Sequence, residues 1–336
     1  MIADPWGRWL WRVLKGGVAV GLVWLLLQQG ALDFHLLLAG SINGSIIMVG
    51  LLLNLAMISL GAVRWQILLG SQGITLPFAW VHRMIYLTVC FNLLVPGSIG
   101  GDALRMGYLI REEGDDRKGA VILTILADRL TGLYSLFLIA FLASLANLPL
   151  LLAQLPTRIL LLSLTLAALG GPLLALLLLW GVTRIPDRPE PTTSRQGLAA
   201  LLAQSLAAAR SFRQAKGRLL AAVLVSLLAQ TVEIAALLWV AQELGLLTAA
   251  ADHFFVAAPV AWVANLLPIS PGGLGVGEAA FAQVCQWLQP TATLAALGTP
   301  FLINRILQIA ASLPGLWVYL TYRPPQPENN SKNPGG

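Results

Sequence analysis

The sequence predicts an all-α polytopic membrane protein, a bundle of six full spans and two re-entrant helical hairpins built as inverted repeats. Three observations carry this. Hydrophobic residues make up 57% of the 336 positions and charged residues only 11%, where soluble domains carry about a quarter. The mean hydropathy is +0.77, and the apolar residues fall into runs of about 20, the length a helix needs to cross the hydrocarbon. A Gly-rich motif ending in a carboxylate occurs twice, about 175 residues apart, each time inside apolar sequence.

Taken in order, Arg8, Arg12 and Lys15 precede the apolar stretch from Val18 to Leu27, with Trp6, Trp9 and Trp11 as interfacial anchors. No small-residue cleavage site follows between Gln28 and Asp33, so residues 11–29 read as an uncleaved first span. Residues 45–69, 119–146, 157–181, 218–246 and 292–321 are the remaining full spans by length and apolarity. Regions 78–110 and 252–290 are apolar too, but the repeated motif cuts each of them. The first copy runs from Asn92 through Pro96, Gly100 and Gly101 to Asp102, and the second from Asn265 through Pro268, Pro271, Gly273, Gly275 and Gly277 to Glu278. Broken backbone at membrane depth is tolerated only where protein or a wet cavity satisfies its polar groups, so each region is expected to be a re-entrant hairpin.

The loop 182–217 carries Leu198, Leu201, Leu202, Leu206, Ala209 and Phe212 at helical spacing beside Arg210, Arg213, Lys216 and Arg218. Either a helix lying on an anionic membrane face or a solvated connector fits that pattern. Past Tyr322, residues 323–336 are rich in Pro, Asn and Gly and read as a disordered tail. One transmembrane domain, 1–322, therefore holds two repeats, about 10–147 and 157–322.

Loop charges set the orientation. With re-entrant hairpins, the N-terminus, the stretch with Arg83, Arg105, Arg111, Arg117 and Lys118, the 182–217 loop and the C-terminus share one side. The other side has Asp33, Glu243 and Asp252, with Arg158 as the exception. The positive-inside rule makes the first side cytoplasmic and the location the cytoplasmic membrane. Each half then reads span, span, hairpin, span. An odd number of spans per half inverts the second half relative to the first. Further echoes support the duplication: Trp65 to Gly70 with Trp239 to Gly245, and Ala127 to Leu130 with Ile303 to Ile306.

Several function classes drop out. The net charge of +6 resides in loops, as orientation signals do, so no nucleic-acid partner is expected. Cys90 and Cys285 have no Cys or His neighbours in pattern, and His35, His82 and His253 make no ligand spacing, so no metal is expected. The Gly273, Gly275, Gly277 spacing lacks the strand that a dinucleotide fingerprint requires. Ser270 and Thr131 have no His partner in pattern. No cofactor and no catalytic residue is expected.

What remains is a short list of ionisable residues at membrane depth: Arg64, Asp102, Arg105, Asp128, Arg129, Glu233, Glu278 and Arg305. Each costs roughly 2.5–3.5 kcal/mol at a helix centre, so each must be paired, snorkelling or facing water. Arg129 and Arg305 are equivalent by the repeat and would face each other across its axis. Helices restarting after Gly101 and Gly277 would aim N–H groups and a dipole end at the midplane, a site for anions. Two roles stay open for Asp102 and Glu278: capping or inter-repeat ion pairing, and direct handling of substrate or protons.

From Phe91 to Arg105, through Asp128 and Arg129, to Pro268 and Glu278, the chain resembles the lysylphosphatidylglycerol synthase transmembrane region, or flippase-like domain family. The resemblance runs over about residues 10–322. In two-part enzymes of that family the membrane region is associated with moving aminoacylated phospholipids between leaflets, and a separate soluble domain performs the aminoacyl transfer. With residues 323–336 read as a tail, no such domain is expected after Tyr322, and the synthase activity is not carried over. Asp128 stands where the family pattern has Glu. The resemblance implies that Asp102, Arg105, Asp128, Arg129, Glu278 and Arg305 line a translocation site. Stand-alone members are linked with several lipids, hopanoid-type and polyprenyl-linked ones included, so the substrate is not inherited.

The expected function is a flippase or transporter for an anionic or phosphate-bearing lipid. Its substrate-binding set is Asn92, Gly101, Asp102, Arg105, Asp128, Arg129, Gly275, Gly277, Glu278 and Arg305. Its partners are that lipid and the bilayer, with a homo-oligomer left open. The alternative is a membrane-embedded transferase acting on lipid-linked substrates, or its accessory subunit. Against it, the 182–217 loop offers only Asp187 and Glu190 as acids for a metal motif.

Overall fold

A computed structural model describes residues 43–94, 100–184, 198–246, 251–267, 273, 275–289 and 294–322. The expected first span at 11–29 with its Trp anchors, the prolines of both motifs and the 323–336 tail lie outside the described residues. Everything regular within them is helical. The first half holds α1 (Gly44–Ser71), α2 (Phe78–Leu94), α3 (Gly100–Glu113), α4 (Lys118–Ala146) and the short α5 (Leu148–Ala153). Then come α6 (Leu155–Arg184), α7 (Leu198–Gln214), α8 (Lys216–Glu243), α9 (Ala251–Ala264), α10 (Val276–Leu288), α11 (Leu294–Ser312) and α12 (Pro314–Thr321).

Five stretches are long and apolar enough to cross a membrane: Gly44–Ser71, Asp115–Ala146, Leu155–Leu174, Lys216–Glu243 and Gly298–Thr321. The chain is a polytopic helical membrane protein. Its polarity is inverted relative to a water-soluble bundle. Asn54, Thr124, Ser135 and Ser226 are fully buried, while Leu155, Leu166 and Leu220 each stand more than half exposed on the outer faces. A continuous apolar exterior of this kind is stable against lipid and not against water.

The longest helices of the two halves form the centre. α1 and α8 pack side by side and run antiparallel. At one end Asn43 Nδ2 and Ser45 Oγ donate to Glu243 Oε2 at 2.7 and 2.6 Å; at the other Arg218 donates to the Gly70 carbonyl. Asn43 also caps α1 by accepting from the Ile46 N–H at 2.9 Å, which satisfies one of the helix's orphan donors. α4 lies against α8 and α9, and α11 against α1 and α10.

Both interrupted regions fold as pairs of short helices in mutual contact, α2 with α3 and α9 with α10. α9 has 14 residues, a rise of about 21 Å, short of the roughly 30 Å hydrocarbon thickness. In the first pair the approach is so close that a Cβ on Gly101 would strike the Thr88 backbone. Gly107, on the open side of the same helix, has nothing within 4 Å of its would-be Cβ. Gly101→Ala is therefore expected to lower stability by about 1–3 kcal/mol through overpacking, and Gly107→Ala to raise it by up to about 1 kcal/mol. Melting both variants in detergent checks the contrast; equal shifts would contradict it.

Three features depart from the expected outline. The last span is bent after Ser312: Pro314, which has no N–H to continue a helix, opens α12. There a Cβ on Gly315 would meet the Tyr86 carbonyl, and Trp80 Nε1 donates to the Tyr322 hydroxyl at 2.7 Å, so α12 clamps α2. α5 is an additional short turn of helix between the third and fourth long helices. The 182–217 loop contains a helix docked on protein. Phe212 is buried with Leu68 and Ala222, and Gln204 Oε1 accepts from the Gly119 N–H at 3.1 Å. A freely solvated connector is thereby excluded for this part of the loop.

Candidate functional site

In the first half, the α2–α3 pair delivers Asp102 to the bundle interior. Asn92 Oδ1 accepts from the Gly101 N–H at 2.8 Å, holding the start of α3 against the end of α2. Asp102, in the first turn of α3, accepts from Arg129 Nε of α4 and lies 2.9 Å from an Arg105 terminal nitrogen. Arg105 is 1% exposed, with its guanidinium 4.6 Å over the Trp65 ring. It donates to Asp128 Oδ2 at 2.8 Å. Asp128 Oδ1 accepts from Arg64 Nε at 2.6 Å. Charges thus alternate along one line: Arg64, Asp128, Arg105, Asp102, Arg129. That order lets both carboxylates of the line, Asp128 and Asp102, face two guanidiniums, which is what makes ions tolerable at this depth.

The second half repeats the design in shorter form. Gly275 has φ +79°, a left-handed conformation open to glycine, and α10 begins immediately after it. Glu278 Oε2 reaches back to accept from the Gly275 N–H at 2.9 Å, while its Oε1 lies 3.0 Å from Arg305 Nε on α11. Asn265, at the repeat position of Asn92, sits where a Cβ on Gly277 would have to be and accepts from an Arg305 terminal nitrogen at 3.0 Å. Asp128 has a neutral counterpart, Asn304, whose Oδ1 accepts from Asn54 Nδ2 at 3.2 Å. Glu278 therefore both caps a helix and pairs with an arginine. The Asp102–Arg129 and Glu278–Arg305 pairs form within each half; of the roles left open by the sequence, ion pairing is thus seen within halves and not between them among the described residues.

A cavity of about 340 Å³ lies where the halves meet. Asn92, Asp128 and Arg129 reach its wall from one half, and Arg305 from the other. Asp102, Arg105, Gly101, Gly275, Gly277 and Glu278 do not line it: Asp102 and Glu278 pair with the lining arginines, Arg105 holds Asp102 and Asp128, Gly101 and Gly277 permit close approaches of Thr88 and Asn265, and Gly275 supplies the left-handed turn before α10. Arg129 keeps 38% of its side chain exposed, Arg305 only 6%. Among the described residues, no group of three His, Cys, Asp or Glu side chains could hold a metal ion.

The wall also carries polar residues outside the expected set: Arg64, Glu233, Gln230, Asn265, Asn304 and Gln308. Two signals pointed to some of them. Asn265 opens the second motif at the place Asn92 opens the first, and carboxamides well inside apolar helices need partners across helices. Apolar side chains such as Val89, Leu133, Trp262 and Phe301 complete the lining. The volume falls at the small end of ligand sites. Arginine forks match phosphate oxygens in geometry and charge.

The family model for the lysylphosphatidylglycerol synthase transmembrane region matches residues 12–312. Among curated proteins, the UPF0104 membrane protein PH1989 of Pyrococcus horikoshii is 25% identical over 114 residues, which is 34% of this chain and 34% of that protein. The match thus spans about a third of the relative's length. A multi-pass helical bundle matched over nearly its whole length places the chain in a lipid-related membrane role: it belongs to the lysylphosphatidylglycerol synthase transmembrane-region family.

Proposed function

We propose that this protein moves an anionic, phosphate-bearing lipid between leaflets, with the headgroup passing through the Arg129–Arg305 cavity. The observation that carries the reading is the duplicated carboxylate–arginine pair converging on one polar cavity inside an apolar bundle. In this reading α2–α3 and α9–α10 are re-entrant hairpins of two inverted repeats, and the antiparallel run of α1 and α8 supports that symmetry. Inverted repeats meeting at a charged site let one half rock against the other and expose the site to each side in turn. Arg129 and Arg305 hold the phosphate, with Asn92 and Asn265 beside them. Asp102 and Glu278 compensate the arginines when the site is empty, and Arg105 positions Asp102 and Asp128 without touching lipid. The cytoplasmic membrane, with both termini on the cytoplasmic side, follows from the loop charges.

The test is flipping of fluorescent phosphatidylglycerol in phosphatidylethanolamine/phosphatidylglycerol vesicles, read by dithionite quenching. Arg129→Ala removes charge-assisted bonds worth about 1.5–3 kcal/mol, so flipping should fall about tenfold to a hundredfold while melting stays near wild type. Arg129→Lys keeps the charge but loses the fork and should be intermediate. A transferase or accessory subunit predicts that neither wild type nor variant flips lipid faster than empty vesicles, and that result would overturn the proposal.

A further inference from the structure

We infer that Glu233 is a proton-binding site that couples transport to one proton per headgroup charge; the inference rests on the lipid-transport reading above. Glu233 sits well inside α8, buried, on the wall of the cavity. Its carboxylate accepts from Gln308 Nε2 at 3.0 Å. Among the described residues it makes no ion pair. Asp102, Asp128 and Glu278, in contrast, each have an arginine nitrogen at 3.0 Å or closer. An ionised carboxylate held only by an amide in an apolar bundle carries most of its desolvation cost unpaid; the neutral acid does not.

A second observation prepares the neutral form. Gln230, one turn earlier on α8 and on the same cavity wall, has a buried Oε1 with no hydrogen-bond partner. Residues three apart on a helix are neighbours, so a protonated Glu233 has an acceptor within its own turn. The repeat mate of Glu233 in the first half is Ser59, so the arrangement exists once.

The charged groups facing Glu233 fix the stoichiometry. α1 contributes Arg64, α4 contributes Asp128 and Arg129, and α11 contributes Arg305, all on the same wall. With Arg105, Asp102 and Glu278 behind them, the ion-paired cluster has, among the described residues, four guanidiniums and three carboxylates. An ionised Glu233 makes the whole neutral. A phosphate anion arriving in that neutral site leaves one excess negative charge, and protonation of Glu233 removes it. Proton and headgroup therefore favour each other's binding by equal factors, as linkage requires, and leave together as a neutral load.

Two measurements test this. Infrared pH titration of the protein in phosphatidylethanolamine/phosphatidylglycerol vesicles should show a protonated-carboxyl band that disappears in Glu233→Gln and persists in Glu243→Gln. A band indifferent to Glu233→Gln overturns the inference. The second reads the steady-state leaflet distribution of fluorescent phosphatidylglycerol under a pH gradient, relative to protein-free vesicles. One-proton, electroneutral coupling predicts accumulation in the leaflet facing the less acidic side, about tenfold per unit of pH difference. Glu233→Gln should show no gradient-driven asymmetry. If wild type flips lipid but ignores the gradient, coupling fails alone; if it flips none under any condition, the transport reading fails and takes coupling with it.

Discussion

Asp128→Ala is expected to lower the stability of the bundle by about 3–5 kcal/mol, the usual cost of removing one partner from a buried ion pair. Asp128 is 3% exposed and joins Arg64 at 2.6 Å to Arg105 at 2.8 Å. Its loss strands the Arg64 guanidinium, which among the described residues is left with the Ser226 hydroxyl at 3.3 Å. Arg105 keeps Asp102 at 2.9 Å. That asymmetry supplies a rescue. In Arg64→Met/Asp128→Leu the stranded charge is gone and the volume is nearly kept, so most of the stability should return, since apolar replacement of a buried pair is often neutral. Denaturation by heat or by added dodecyl sulfate in detergent micelles reads both variants. A single variant as stable as wild type, or a double variant no better than the single, would show that the Arg64–Asp128 contact is not the brace described here.

The bundle was legible in the sequence because lipid imposes a length rule on apolar runs. Residues 45–69, 119–146, 157–181 and 218–246 all recur as long helices with ends shifted by a few positions. The bend at Pro314 was less visible, since its cause is tertiary: α12 turns to seat Gly315 against Tyr86 and Tyr322 against Trp80. Asp102, Asp128, Arg129 and Arg305 announced themselves as charges at membrane depth. Which of them reach the cavity did not follow from that. Arg105 looks equal to Arg129 in sequence, yet the Trp65 ring covers it. Arg64 looked like a residue near a helix end, but the packing of α1 on α4 and α8 turns it to Asp128 and Ser226. The carboxamides were hardest to foresee, because a lone Gln or Asn in an apolar helix carries no pattern. Their need for partners across helices applies to all alike, and the echo of Asn92 in Asn265 singles out one of them.

Arg305→Ala is expected to cost about 3–5 kcal/mol, whereas Arg129→Ala costs about 1 kcal/mol or less, although each arginine pairs with a carboxylate at the start of a short helix. The difference lies in what each leaves behind. Without Arg129, Asp102 retains Arg105, and Arg129, at 38% side-chain exposure, was already partly screened. Without Arg305, Glu278 keeps, among the described residues, the Gly275 N–H, Asn265 Oδ1 loses a donor, and the space beside Phe301, whose ring lies 5.8 Å from the guanidinium, empties. Adding Glu278→Gln to Arg305→Ala removes the orphaned charge and should recover about half of the loss. Equal destabilisation by the two single variants would falsify this account. Unequal costs carry a functional corollary. If the halves exchange environments as the transport reading requires, the buried pair in one state is the exposed pair in the other. Conditions or variants that trap the opposite state should then reverse the order, making Arg129 the costlier residue to lose.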